Sequence, residues 1–240
     1  MLMETMIDEV ADDILRLSTF VPDANLMFNQ FVVRADEPLL FHTGPRALFP
    51  LVADAVGRVV PLEQLRWITF GHVEADECGA MNQFLAAAPN ATVAHGAIAC
   101  LVQVNDLADR SPRPLDDGEV LDLGGRRVRS LDTPHIPHGW DAHVLYEETT
   151  HTLLCGDLGT RFGEGPATTT DDIVEAALET EQFGAPTALT PATAPTIRTL
   201  ADLETDTLAL MHGPAYQGDC EKALLELADG YAERFAAAAT

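Results

Sequence analysis

Lysine is almost missing from this chain. Lys222 is the only one among fourteen basic residues, which face 38 acidic ones, for a formal net charge of −24 over 240 residues. So negative a surface repels the phosphates that nucleic-acid binding must neutralise, and it disfavours anionic membranes for the same reason. No apolar run approaches the roughly 18 residues that span a bilayer. Residues 1–9 carry neither a basic segment nor an apolar core, so no secretory leader is expected and the cytoplasm is the expected compartment. The four cysteines (Cys78, Cys100, Cys155, Cys220) stand far apart with no C-x-x-C pair. That spacing excludes a zinc ribbon and argues for reduced, structural thiols rather than a disulfide frame. Repeats at periods of 20 to 50 residues are absent, as is any strong linker.

What is present describes a globular protein: 47% hydrophobic and 22% charged residues, enough for one well-filled domain over residues 1–240. Residues 6–10 and 14–17 read as a hairpin about an Asp12-Asp13 turn, although Ile7, Val10, Ile14 and Leu17 also fall at helical spacing. Strands are expected over 25–33, 38–42, 65–70 and 92–96, with helices over 46–57, 80–88 and 97–104. Residues 105–118, rich in Asn, Asp, Pro and Arg, read as a surface loop. A second hairpin turns at Gly124-Gly125, between strands 119–123 and 126–131. Strands over 142–146, 152–156 and 207–211 alternate thereafter with helices over 170–182, 191–203 and 219–238. Two groups of strands, each followed by helices, suit an α/β fold: a four-layer α/β/β/α sandwich of two mixed sheets.

The chemistry concentrates at Gly71-His72-Val73-Glu74-Ala75-Asp76-Glu77-Cys78-Gly79. Four metal-capable side chains lie there between an apolar strand and a helix. His72 and Glu74, two residues apart in extended chain, point to the same side, and Asp76 and Glu77 precede a helix N-terminus that favours anions. Cys78, though inside the stretch, is expected to pack rather than ligate. Three further strand ends offer ligands: His135 or His138 with Asp141, then Gly156-Asp157, then His212-Gly213. Glycine beside a ligand lets backbone approach a crowded site. His95 and His151 read as structural or solvated. His42 suits a hydrogen bond behind the site, Tyr216 is an ordinary packed tyrosine within reach of a bound diatomic, and His143 is left unassigned.

The order H-x-E-x-D, H, G-D, H-G on this strand plan resembles the metallo-β-lactamase fold, and most of all the oxygen-binding diiron domain of the flavodiiron proteins. The resemblance runs from Phe28-Asn29-Gln30-Phe31 to His212-Gly213-Pro214. Hydrolases of the fold carry H-x-H-x-D-H, whereas the diiron branch has Glu where this chain has Glu74. Carried over, the resemblance implies one metal on His72, Glu74 and His138, a second on Asp76 and His212, and Asp157 bridging both. His138 rather than His135 falls at the family's histidine. One residue departs: the family pattern ends in Asp-His, and here Glu77 stands in place of that histidine. Glu77 is therefore a third oxygen ligand of the second metal, or a residue acting from behind it, or the cause of a weakly held ion.

The implied cofactor is two iron ions, with manganese or zinc as alternatives, since carboxylates bind all three. The implied function is binding or reduction of O2 or NO, as a redox enzyme or as an oxygen sensor. Because no flavodoxin-like or rubredoxin-like segment is recognised, electrons are expected from a separate donor. Relatives pair as dimers, which implies a homodimer by analogy. The competing reading is a dinuclear metallohydrolase cleaving an ester, thioester, lactone or phosphoester. There Asp76 would orient the attacking water or take its proton, with Asp157 between the metals.

Overall fold

The computed structural model of the protein describes residues 3–238. β1 (Thr5–Ala11) and β2 (Ile14–Val21) form the expected hairpin, with Asp13 at φ 58 in its turn. Asp accepts that left-handed position better than most residues, which is why the turn outweighs the helical spacing. β3 (Leu26–Val33) and β4 (Leu39–Phe41) extend the antiparallel run. A 3-10 turn at Arg46–Leu48 leads into α1 (Phe49–Val59), where Pro50 sits in the first turn and loses no hydrogen bond. The sheet then continues in parallel through β5 (Trp67–Thr69) and β6 (Thr92–Gly96), joined by α2 (Ala75–Cys78) and α3 (Met81–Ala87).

The segment expected as a loop over 105–118 is partly ordered. Helix runs on from α4 (Ala97–Ala99) through a π-wound Cys100–Val104 into α5 (Asn105–Leu107). β7 (Arg113–Leu115) then pairs in parallel with β6. Pro114 disguises this strand in the sequence; it is tolerated because β7 is the last strand of the sheet.

The second sheet holds β8 (Val120–Asp122), β9 (Arg127–Asp132), β10 (His143–Glu147), β11 (Thr152–Leu154), β12 (Thr168–Thr169), β13 (Thr207–Ala209) and β14 (Ala215–Tyr216), in the order β12-β14-β13-β11-β10-β9-β8. Gly124 and Gly125 both take positive φ, which matches the right-handed twist of the β8–β9 hairpin. β12 and β14, two residues each, are too short for any period to reveal. The helices α6 (Val174–Thr180), α7 (Thr193–Ala201) and α8 (Cys220–Ala238) fall where expected, shorter at their ends.

Alternation along the strands builds the layers. Phe31 and Val33, Leu39 and Phe41, Leu145 and Leu154 point between the sheets. Their neighbours Val32 and Leu40 face α1 and α3 through Val52, Val56 and Phe84. On the other side Val144, Tyr146 and Leu153 face α7 and α8 through Ile197, Leu200, Leu224 and Leu227. A period of two therefore puts one face of each sheet in a shared core and the other under helices, the four-layer sandwich. The sheets are also stitched by polar contacts: Asn29 Nδ2 donates to the carbonyls of Leu210 (2.8 Å) and Gly213 (2.7 Å), and its backbone N–H to Met211 (3.0 Å). Among the described residues, no helix is long and apolar enough to cross a membrane.

Phe31 is completely buried between the sheets. Phe31→Ala should lower unfolding stability by about 3–5 kcal/mol in a urea titration. Met6→Ala, at a side chain 56% exposed, should stay within about 0.5 kcal/mol.

Candidate metal centre

Three strands deliver ligands at the same offset. His72, Asp157 and His212 each stand three residues beyond the last residue of β5, β11 and β13. Adjacent strand ends in one layer, and facing ends across the sandwich, bring those loops together at one rim. His138 comes from the loop between β9 and β10, and its approach is fixed by Asp141, whose Oδ2 accepts from the Val73 N–H at 2.9 Å.

The resulting geometry is two overlapping groups. His72, Glu74, His138 and Asp157 form one; Asp76, Asp157 and His212 form the other; in each group the ligand atoms lie within 4.8 Å of one another. Glu74 Oε2 is 2.7 Å from His72 Nε2 and 2.9 Å from His138 Nε2. Asp157 turns one oxygen each way, Oδ2 to His138 at 3.4 Å and Oδ1 to His212 at 3.3 Å. Asp76 Oδ2 is also 3.3 Å from His212 Nε2. His212 donates its Nδ1–H to the Met27 carbonyl at 2.7 Å, so Nε2 is the nitrogen that faces the centre. Phe28 packs edge-on against the same ring.

The residues present fit a metal pair. Asp76 Oδ1 and Asp157 Oδ1 are buried without a hydrogen-bond partner, which a bare carboxylate tolerates poorly and a cation would relieve. The donor set of three imidazoles and three carboxylates suits a hard or borderline divalent ion. Cys78 belongs to neither group. Its thiol is pushed up to about 12 by burial, which suits a packing role.

Six of the seven ligand candidates thus converge, and Glu77 does not. It is fully buried beneath the group, with Oε2 accepting from the His72 backbone N–H at 2.5 Å and Oε1 3.1 Å from His72 Nδ1. His135 is exposed and belongs to neither group, leaving His138 as the histidine of this loop. His42, fully buried at φ 67, comes within 3.5 Å of Glu77 Oε2 without a hydrogen bond. His143, unassigned from sequence, holds the floor: its Nε2–H donates to the Phe70 carbonyl, its Nδ1 accepts from Ser130, and its backbone N–H donates to Gly71. His95 stacks on it. His151 lies in a turn against Tyr146, and Tyr216 packs under the outer helices.

A pocket of about 200 Å³ opens over the centre, walled by Leu26, Pro137, Phe162, Phe183 and Tyr231. None of these was legible beforehand, because they come from five separate segments and share no spacing.

The charges support one another. Burial works against a cationic His72, but hydrogen bonds to Glu74 and Glu77 reverse this and carry it to about 11. Burial likewise opposes the charge on His212, which Asp157 and Asp76 raise to about 10. The bond from His138 holds Glu74 well below the usual carboxylate range. Burial raises Asp157, yet His212 and its neighbours keep it below its ordinary value.

A family model described as "ODP family beta lactamase" matches residues 26–213. Among curated proteins, the "Putative diflavin flavoprotein A 2" of Synechocystis sp. is 26% identical over 137 residues, 55% of this chain and 23% of that protein. The chain therefore spans about a quarter of that relative's length. Among solved structures, a fragment of a diflavin flavoprotein A 5 from Nostoc sp. superposes with a TM-score of 0.79 at 18% identity, covering 99% of this chain and 97% of that one. Rubredoxin oxygen:oxidoreductase of Desulfovibrio gigas gives 0.78 at 15%, covering 96% and 62%. A flavoprotein of Thermotoga maritima gives 0.81 at 16%, covering 98% and 62%. At these identities the superpositions speak for the fold.

Ligating imidazoles must be neutral, so metal uptake by the metal-free protein at pH 7 should release protons from His72 and His212. Their folded values are raised. The ion-pair stabilisation of the metal-free fold is thus complete below the ordinary histidine value of about 6.5 and fades as pH climbs through about 10 and 11. Apparent metal affinity should rise over that same interval. Calorimetric titration with Mn2+ in two buffers of different ionisation enthalpy reads the proton release directly.

Proposed function

The chain belongs to the ODP beta-lactamase family, and on that footing we propose that it holds two iron ions and binds or reduces O2 or NO, taking electrons from a separate donor. The observation that carries this reading is Asp157, which offers one oxygen to each of the two ligand groups. Its carboxylate would be shared by both ions, one oxygen to each. His72, Glu74 and His138 would hold the first ion with Asp157; Asp76 and His212 would complete the second. When bound, an iron pair would supply the redox chemistry toward O2 or NO, with electrons replenished by the donor.

The protein's own part is positioning and shielding. Glu74 draws His72 and His138 together, the Met27 carbonyl sets the His212 ring, and Asp141 ties the His138 loop to the His72 turn. Leu26, Pro137 and Phe162 keep the pocket wall apolar. The wall's threonine hydroxyls are already committed: Thr160 donates to the Asp157 carbonyl, Thr180 to the Ala177 carbonyl and Thr187 to Glu181. A polar ester or phosphoester would find few free partners there, whereas a diatomic needs none. Cytoplasmic residence and pairing as a homodimer complete the reading, the former in keeping with four unpaired cysteines.

Anaerobic reconstitution with Fe(II) should load about two ions per chain. With an artificial electron donor, the loaded protein should then consume O2 or NO. Preferential zinc loading with oxygen-independent cleavage of generic esters, lactones or phosphodiesters would assign it instead to the hydrolases.

A further inference from the structure

We propose that Glu77 is a positioning residue for His72: its carboxylate, lying beneath the ring, fixes the nitrogen offered to the first metal position, and it is not a ligand of the second. The proposal rests on the metal-binding part of the reading above and is independent of the oxidant.

Local structure aims this side chain. Glu74 stands at the N-cap position of α2, a single turn of four residues, and that turn carries Glu77 back under the residue five positions before it. The Glu77 carbonyl accepts from Thr43 twice, from N at 2.7 Å and from Oγ1 at 3.1 Å, which anchors the backbone to the chain leaving β4. The side chain then lies in the interior, fully buried. One carboxylate engages both the backbone and the ring of the same histidine, at 2.5 Å and 3.1 Å.

That double hold decides what His72 can do. With Nδ1 3.1 Å from Glu77 Oε1, Nε2 is the nitrogen turned toward Glu74, His138 and Asp157, and it is free to ligate once its proton leaves. The ring is confined from the other side by Gly139, where a Cβ would lie 2.8 Å from His72 Cδ2. Gly71 leaves the room the carboxylate needs, since a Cβ there would lie 3.0 Å from both of its oxygens. To reach the second position Glu77 would have to abandon both contacts, and the group around that position is Asp76, Asp157 and His212 without it. The first position therefore has four protein donors and the second three.

The test is an anaerobic titration of the metal-free full chain with Co(II), followed by its visible spectrum, for wild type, Glu77→Gln and Glu77→Ala. All three should saturate at about two ions per chain. Glu77→Ala should weaken the tighter site by about 10–100-fold. Glu77→Gln, with one acceptor oxygen for two donors, should fall between, and it carries the test if the alanine variant does not fold. In the Zn(II)-loaded wild type, the His72 Nδ1 proton should be visible by 15N-correlated NMR and protected from exchange; in Glu77→Ala it should exchange freely.

A fall to one ion per chain with the remaining affinity unchanged would make Glu77 a ligand and overturn the proposal. So would a Glu77→Ala titration identical to wild type. A wild type that takes no metal defeats both this proposal and the functional reading. A wild type that takes two ions yet turns over neither O2 nor NO defeats the functional reading alone.

Discussion

Everything at this centre follows from gathering carboxylates around one buried member, Asp157, that belongs to both ligand groups. Asp157 is 8% exposed; the exposed Glu74 joins it in one group and the partly buried Asp76 in the other. Such a cluster is unstable unless positive charge joins it. Without a metal, the imidazoles of His72, His138 and His212 supply that charge, which is why all three are shifted towards the protonated form. A pair of cations would substitute for those protons. On the proposed reading the same groups serve as counter-charges in one state and as ligands in the other.

The sandwich makes that crowding affordable by presenting strand ends instead of strand faces. Side chains on the faces are consumed by the three apolar cores. Polar ligands can survive only past the last paired residue, where alternation no longer obliges burial in a core. Histidines that remain among the strands illustrate the contrast: His95 and His143 are completely or almost completely buried, held neutral by desolvation, and form the floor beneath the ligands.

Much of this was legible in the residue order, because the strongest signals are local. The H-x-E-x-D stretch, the Asp-Asp and Gly-Gly turns and the apolar runs each encode their structure within about ten residues, and each appears where expected. What escaped was non-local. β7 is a strand only because β6 offers it an edge, and β12 and β14 exist only as pairing partners of longer neighbours. The pocket wall is assembled from distant segments. The direction of Glu77 depends on the Thr43 anchor and on Gly71 and Gly156 beside it, none of which a spacing argument can weigh.

Asn29 joins segments 181 and 184 residues apart in the chain, and His212 returns a bond to Met27 across 185. Closing loops of that length is entropically expensive and is rewarded only when the final contacts form. As the polypeptide emerges from the ribosome, His72, His138 and Asp157 are all available before His212 has been made. The donors of the two groups consequently leave the ribosome in order, and His212 comes last.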